Sequence, residues 1–354
     1  MKRHWYLVLL LVLALLAAFA LPALADGPTI NPGGPFVPPA SLANLSATMT
    51  FDQVEKELKG LEERSRGVMT LDIAGYTLEG YPLYIAKLGT GPQRMWIQGR
   101  IHGNEPYGND VCLEIIKSLL SSDKKILEAM TFWIIPSYNP EGSERYWRGN
   151  SSGVDLNRNW YRTDSMAYSE PESQAFYAAW REFKPHYAID IHHQGTYLVL
   201  DKNGDPTNDM TTLSIGISVD LSRLTPEISE TTRQMAVAGY DATEALGFCN
   251  PTRYFYIDIV EAALSTMLLD NPGPDGTTAG WKTAAMFFEN RGGIGSKSRG
   301  YIIKQSVVGV HAIIDAIVSG QLASVDPDRW AEIPDRTTWN FGVDDKWPSE
   351  WEAE

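Results

Sequence analysis

Apolar residues recur at helical spacing in four stretches of the chain: TFDQVEKELKGLEERS from Thr50, EPYGNDVCLEIIKSLLSS opening just after Glu105, SEPESQAFYAAWREF, and the long RGYIIKQSVVGVHAIIDAIVSG near the end. That period predicts helices. In the third, Ser169 is the candidate N-cap, with Glu172 three residues on. Shorter apolar runs, YPLYIAKLG, QRMWIQGRI, MTFWIIPSYNP and HYAIDIHHQG, read as strands bounded by turn residues. Strand and helix alternate repeatedly. This argues for an α/β fold, one sheet covered on both faces by helices.

The ends read differently. Residues 1–25 place Lys2 and Arg3 before an apolar run from about Trp5 to Ala20, and Ala23-Leu24-Ala25 supplies small residues at cleavage spacing. This is the layout of a secretory signal peptide and predicts a secreted protein, at the periplasm or cell surface or beyond it. No later segment reads as apolar enough to cross a bilayer, so no membrane is expected as a partner after cleavage. Residues 26–45 form a Pro/Gly-rich linker, and a domain over 46–320 follows. No folded inhibitory prodomain is expected ahead of it. The tail, 321–354, is acidic and holds Trp330, Trp339, Trp347 and Trp351. Tryptophans in water are unfavourable, so these are expected to pack on the domain surface.

Charge narrows the partners. Removing Lys2 and Arg3 from 30 basic residues leaves 28 against 44 acidic ones, a formal charge of −16 in place of −14. Such a surface disfavours nucleic acid and anionic lipid. Cys112 and Cys249 are the only cysteines. In an exported chain they could pair or remain two buried thiols. They are too few for a thiolate zinc site.

The candidate chemistry lies in the polar breaks between elements. GRIHGNEPYG puts His102 and Glu105 between a strand and a helix, where α/β sheets place ligand sites. A catalytic zinc site commonly takes two His and one Glu and leaves a position open. His186 starts a strand, His311 sits in the last helix, and His192 and His193 end the strand YAIDIHH. Neighbours on a strand point to opposite faces, so at most one of the last two can share a site from the strand itself. YNPEGSERYWRGNSSGVDLNRNW, residues 138–160, clusters Arg145, Arg148 and Arg158 in an otherwise acidic protein. Planar guanidinium groups bind carboxylates with paired hydrogen bonds. The loop suits a substrate that ends in a carboxylate.

These motifs occur in an order: HGNE at 102–105, NPEG at 139–142, RYWR at 145–148, GVDLNRNW at 153–160, SEPES at 169–173, DIHHQG at 190–195 and FFENRGG at 287–293. As a set the chain resembles the zinc metallocarboxypeptidases of the pancreatic carboxypeptidase A type, and their secreted bacterial branch in particular. The resemblance covers about residues 46–318. It implies a single domain built on a mixed, mostly parallel twisted sheet. It implies one Zn2+ per chain held by His102, Glu105 and His192, with His193 a lesser candidate. Arg148 would polarise the scissile carbonyl, Asn157 and Arg158 would grip the terminal carboxylate, and Glu289 would be the general base toward zinc-activated water. The expected partner is a peptide with a free C-terminus, and the expected state is a monomer.

The family pattern is not matched everywhere. Asn104 stands where pancreatic members carry an arginine. The segment from about Leu198 to Lys282 reads as a divergent loop. Tyr254 and Tyr256 are both available for the tyrosine that closes over substrate, and no motif selects one. Asp270 or Asp275 could favour a basic side chain. A zinc amidohydrolase of the aspartoacylase and succinylglutamate-desuccinylase type shares the His–Gly–x–Glu turn and an Asn–Arg pair. It would cleave N-acyl amino acids, and a murein-peptide amidase is a rival within the fold. RYWR, SEPES and the export signal favour the peptidase. A binding module that lost its activity would need a lost ligand or a lost Glu289, and neither is missing.

Overall fold

The computed structural model describes residues 48–122, 124–161, 170–254, 257–291 and 299–338. The signal peptide, the linker, Ser169, Tyr256 and the tryptophans at 339, 347 and 351 lie outside them.

Helix α1 (Phe51–Ser65) starts on a capping box: Thr50 Oγ1 accepts from Gln53 N, and Gln53 Oε1 accepts from Thr50 N. Its stripe Phe51, Val54, Leu58 and Leu61 is buried. Strands β1 (Met69–Tyr76), β2 (Pro82–Leu88) and β3 (Gln93–Gly99) follow, then α2 (Tyr107–Ser121), α3 (Lys124–Ala129), β4 (Met130–Ile135) and α4 (Pro140–Arg145). Next come α5 (Pro171–Phe183) and β5 (Tyr187–Gln194). The segment 198–282, read from sequence as a loop, holds β6 (Leu198–Leu200), β7 (Pro206–Met210), β8 (Leu213–Gly216), α6 (Pro226–Glu244), β9 (Pro251–Arg253) and α7 (Ala263–Leu269). Its strands are three to five residues long, too short for a period of two to stand out. The chain continues with β10 (Ala284–Arg291) and α8 (Arg299–Val318).

Eight strands form one sheet in the order β1-β2-β4-β3-β5-β10-β8-β9. The four in the middle, β4, β3, β5 and β10, run parallel, while β1 with β2, β2 with β4, and β10 with β8 pair antiparallel. The parallel strands are buried on both faces, which is why Met95–Ile97 and Ala188–Ile191 read as continuous apolar runs interrupted only by Asp190. Along β10, neighbouring side chains take opposite faces. Phe288 packs where Gly239 of α6 and Gly309 of α8 leave room, and Phe287 faces His192 and Tyr254. α5 reaches the latter side, with Phe176 edge-on to Trp96 and Trp180 donating to Thr283.

Two expectations need correction. The N-cap of α5 is Glu170, with Pro171 at the first helical position; proline's fixed φ starts the helix there. Helix α8 is by length and composition apolar enough to span a membrane. Among the described residues it instead packs Ile302, Val310, Ile313 and Ile314 into the core. Of the two readings left open for the cysteines, the structure shows two separate buried thiols, with Cys249 Sγ donating to Gln305 Oε1 at 3.4 Å. Beyond α8, short 3-10 turns at Leu322–Ser324 and Pro327–Glu332 fold back on the domain, and Trp330 is buried.

Candidate metal centre

The parallel strands end on one edge of the sheet, and the site sits there. β3 runs into the turn 100–106 before α2, so His102 and Glu105 emerge from the C-terminal end of a central strand. β5 is its parallel neighbour and carries His192 near its C-terminal end. β10 is the next, and Glu289 lies directly across from His192. Three adjacent strand ends thus deliver four of the candidate side chains to one place, the usual ligand position of such sheets.

The turn itself is built from backbone. Arg100 adopts φ 57, a left-handed conformation rare outside glycine. Its guanidinium is buried and donates to the carbonyls of Gly103, Met49 and Ser143. A Cβ on Gly103 would lie 2.0 Å from the carbonyl carbon of Gly142, and one on Gly142 would lie 2.3 Å from the Gly149 oxygen. The HGNE and NPEG turns therefore touch main chain to main chain. Asn139 fastens them: its Oδ1 accepts from Gly142 N at 2.9 Å and its Nδ2 donates to the carbonyls of Ile101 and Arg148.

His102, Glu105 and His192 offer ligand atoms within 4.8 Å of one another, and all three are buried. His102 Nδ1 lies 2.6 Å from Glu105 Oε1, and His192 Nδ1 lies 2.9 Å from Glu105 Oε2. The far nitrogens face carboxylates: His102 Nε2 is 3.2 Å from Asp155 Oδ1, and His192 Nε2 is 3.0 Å from Asp190 Oδ2. Asp190 is in turn held by Gln98 Nε2 at 2.8 Å, and Gln98 by Trp96 Nε1 at 2.7 Å. A carboxylate facing the far nitrogen is the usual second partner of a metal-bound imidazole. Burial disfavours charge on Glu105, but His102 and His192 outweigh it and hold the carboxyl well below its ordinary value. Burial likewise opposes a proton on His192, and Asp190 and Glu105 reverse that. Such a pocket attracts a cation. The donor set, two imidazole nitrogens and a carboxylate, fits zinc.

His193 is not part of the donor set. Its Nε2 accepts from Tyr107 N at 3.0 Å at the start of α2, and burial pushes its pKa down to about 3. It is a neutral structural acceptor. His186 Nδ1 accepts from Arg94 N, and His311 sits in α8 away from the cavity.

The other candidates ring a cavity of about 290 Å³ that includes Glu105, Arg148, Asn157, Arg158, His192 and Glu289. Arg148 bonds Asp155 through Nε at 3.0 Å and Nη2 at 2.9 Å, with Nη1 3.7 Å from Glu105. Asp155 thus serves two masters, the His102 ring and the Arg148 guanidinium. It also caps the 3-10 turn Leu156–Arg158 by accepting from Asn157 N. Asn157 Oδ1 accepts from Ala263 N at 3.1 Å, which turns its NH2 toward His192 Nε2 at 3.4 Å. Arg158 Nη1 donates to Asn157 O. Burial, with Glu105 adding to it, pushes the Glu289 carboxyl up to about 8 against the pull of His192, Arg336 and Arg148. Its Oε2 is buried and accepts no hydrogen bond among the described residues. Asn104 is buried on the cavity wall. Tyr254 lines the cavity too. Neither Asp270 nor Asp275 does: Asp270 is the left-handed C-cap of α7, and Asp275 pairs with Arg181 at the surface.

Asp155, Asp190, Arg100 and Arg336 were not singled out in the sequence. Asp155 and Asp190 could have been, since each lies within a quoted motif, GVDLNRNW and DIHHQG.

The fold and the donor set define a metallohydrolase-like α/β protein whose metal pocket opens at the carboxyl edge of its sheet. Comparison with known proteins gives the family: a model described as zinc carboxypeptidase matches residues 54–247, and the chain belongs to that family. The matched span holds the three metal-ligand candidates, Arg148, Asn157 and Arg158; Glu289 lies beyond it. Carboxypeptidase SOL1 of Arabidopsis thaliana is 28% identical over 189 residues, covering 49% of this chain and 38% of that protein. Carboxypeptidase E of Caenorhabditis elegans is 32% identical over 142 residues, 33% of this chain and 30% of that protein. The chain thus matches only about a third of these relatives' length. Among solved structures, a metallo-carboxypeptidase from Burkholderia cenocepacia superposes with TM-score 0.58 at 18% identity, covering 77% of this chain and 70% of that one. Carboxypeptidase A from Helicoverpa armigera gives 0.59 at 16%, covering 77% and 74%. These two share the fold.

Proposed function

We propose that this protein is a secreted zinc-dependent metallocarboxypeptidase that hydrolyses the C-terminal peptide bond of peptides. The observation that carries the reading is that Glu105 and His192 of the metal donor set, the Glu289 carboxyl and the Asn157–Arg158 pair line one cavity. His102, Glu105 and His192 hold the zinc. When bound, the ion supplies a Lewis acid and makes hydroxide available from water near pH 7.

The chain's own residues do the rest. Arg158 and the Asn157 amide receive the substrate's terminal carboxylate, so the last peptide bond is positioned beside the metal ligands. Arg148, kept charged by Asp155 and Glu105, faces the carbonyl oxygen as negative charge develops there. One such donor is worth on the order of 3 kcal/mol. Glu289 takes a proton from water at its open Oε2 and delivers it to the leaving amine. The cavity wall carries Ile257, Ile259, Ala262, Leu264 and Phe287, which supports an apolar side chain on the cleaved residue.

The deciding test is a panel of C-terminally free peptides, amidated peptides, muropeptides and N-acetyl amino acids. Free peptides should be cleaved; turnover confined to N-acetyl amino acids or muropeptides would assign an amidohydrolase or amidase instead. Glu289→Gln should keep one zinc per chain and lose 10²–10⁴-fold in kcat, the usual worth of a general base; wild-type turnover would move the base elsewhere. Export rests on the layout of residues 1–25, and a mature N-terminus that retains Ala23–Ala25 would contradict it.

A further inference from the structure

Residues 334–337 of the C-terminal segment pair with β6 and β9. Arg253 N donates to Pro334 O at 2.7 Å, Leu200 N to Asp335 O at 2.8 Å, and Thr337 N to Leu198 O at 2.8 Å. Bridges join Val199 with Arg336 and Arg253 with Asp335. The Arg253 guanidinium grips Asp335 with both arms, Nε to Oδ1 at 2.7 Å and Nη2 to Oδ2 at 2.8 Å. The segment is therefore fixed in register, and one side chain is driven inward. Arg336 is 1% exposed. Its guanidinium carbon lies 3.5 Å from the Tyr197 ring centre and 4.2 Å from the Tyr254 ring centre, and its Nη1 donates to Thr337 O at 3.0 Å.

Tyr197 and Tyr254 both line the catalytic cavity. Tyr254 also meets Phe287 edge-on, with ring centres 5.1 Å apart. Tyr254 and Ile257 also line a second cavity, of about 660 Å³, that Arg336 borders. They form the partition between the two spaces. A planar guanidinium is weakly hydrated and stacks on aromatic faces, which makes it suited to brace two rings in a buried place. An ammonium is compact and cannot lie flat against both.

We propose that Arg336 is a positioning residue of the substrate pocket: carried in by the C-terminal segment, it holds Tyr197 and Tyr254 as a fixed wall and so limits the size of the terminal side chain the cavity accepts. The proposal rests on the peptidase reading for its kinetic effect, while the clamp itself can be tested without turnover.

The experiment uses the full zinc-loaded chain, Arg336→Ala and Arg336→Lys. Peptides ending in Ala, Leu, Phe or Trp are compared by kcat and KM. Wild type should discriminate against the bulkiest side chain. Arg336→Ala should flatten that discrimination about tenfold in kcat/KM, chiefly through KM, and keep kcat for the Ala-terminated peptide within about threefold. Arg336→Lys should fall between the two, and it retains the buried cation if the alanine variant does not fold. In parallel, tyrosine nitration is mapped by mass spectrometry on the same zinc-loaded proteins; Tyr254 should react at least fivefold faster once the guanidinium is gone. An equal loss on all four peptides would mean a merely structural role and overturn the proposal, as would unchanged nitration of Tyr254 in both variants. If wild type cleaves no peptide, the peptidase reading fails and the nitration rates still decide the clamp.

Discussion

Glu172→Gln tests how the loop bearing Arg148 and Asp155 is anchored. Asn150 organises that loop: its Oδ1 accepts from Ser152 N and Val154 N, both at 3.1 Å. Its Nδ2 reaches Glu170 and, at 3.5 Å, Glu172. Glu172 is buried, its Oε1 accepts nothing among the described residues, and Glu141 and Glu170 are close. Burial, with those two charges adding to it, raises its pKa from 4.5 to about 7. In the unfolded chain it ionises near 4.5. Between those values the native state binds the proton and the unfolded state does not, so stability falls as pH rises through that window and levels off above it. The gap corresponds to about 3 kcal/mol. Glutamine keeps an acceptor for Asn150 and removes the titration. Urea unfolding of both proteins from pH 4.5 to 8.5 isolates this group, because other titrations cancel in the difference. The variant should gain on wild type by about 3 kcal/mol across that range, with little difference at the acid end. Parallel stability curves would refute the reasoning.

Other outcomes follow from the site. Asp190→Asn leaves His192 Nε2 without its carboxylate and should weaken zinc 10–100-fold, read by competition with a chelator; unchanged affinity would show that the ring is held by other contacts. Gly103→Ala forces the HGNE turn off Gly142 and should cost about 3 kcal/mol together with zinc content, and wild-type melting and stoichiometry would contradict the close packing. Arg158→Gln should lower kcat/KM for free peptides about 10- to 100-fold, the worth of a charge-assisted hydrogen bond, and leave amidated peptides unaffected. Equal losses on both would remove Arg158 from carboxylate binding.

The strands and helices with long, regular patterns were legible because each satisfies its own local physics. α1 carries its cap and stripe within sixteen residues, and β3 and β5 hold the apolar runs Met95–Ile97 and Ala188–Ile191, the latter broken only by Asp190. The segment 198–282 was not legible, since its strands are short and its one long helix, α6, carries Gly239 and polar residues within a weak stripe. The motif HGNE could be read as a metal turn because its two ligands are three residues apart. Nothing in the composition of the tail distinguished Arg336 from any other charged residue beside a tryptophan-rich stretch.

By itself the sequence determined the α/β class, the polar breaks where chemistry could sit, and the donor types. It left His192 and His193 open by geometry, because alternation along a strand says that two neighbours face apart without saying which faces the metal. That choice was made by parallel pairing of β3, β5 and β10, which sets His192 beside Glu105 and across from Glu289 and sends the His193 ring to the start of α2. Only the tertiary structure could supply the carboxylates behind each imidazole and the guanidinium behind Tyr254. Asp155 lies 53 positions from His102, and Arg336 lies 82 from Tyr254. Contacts at that separation depend on how the whole chain packs, and no local pattern records them.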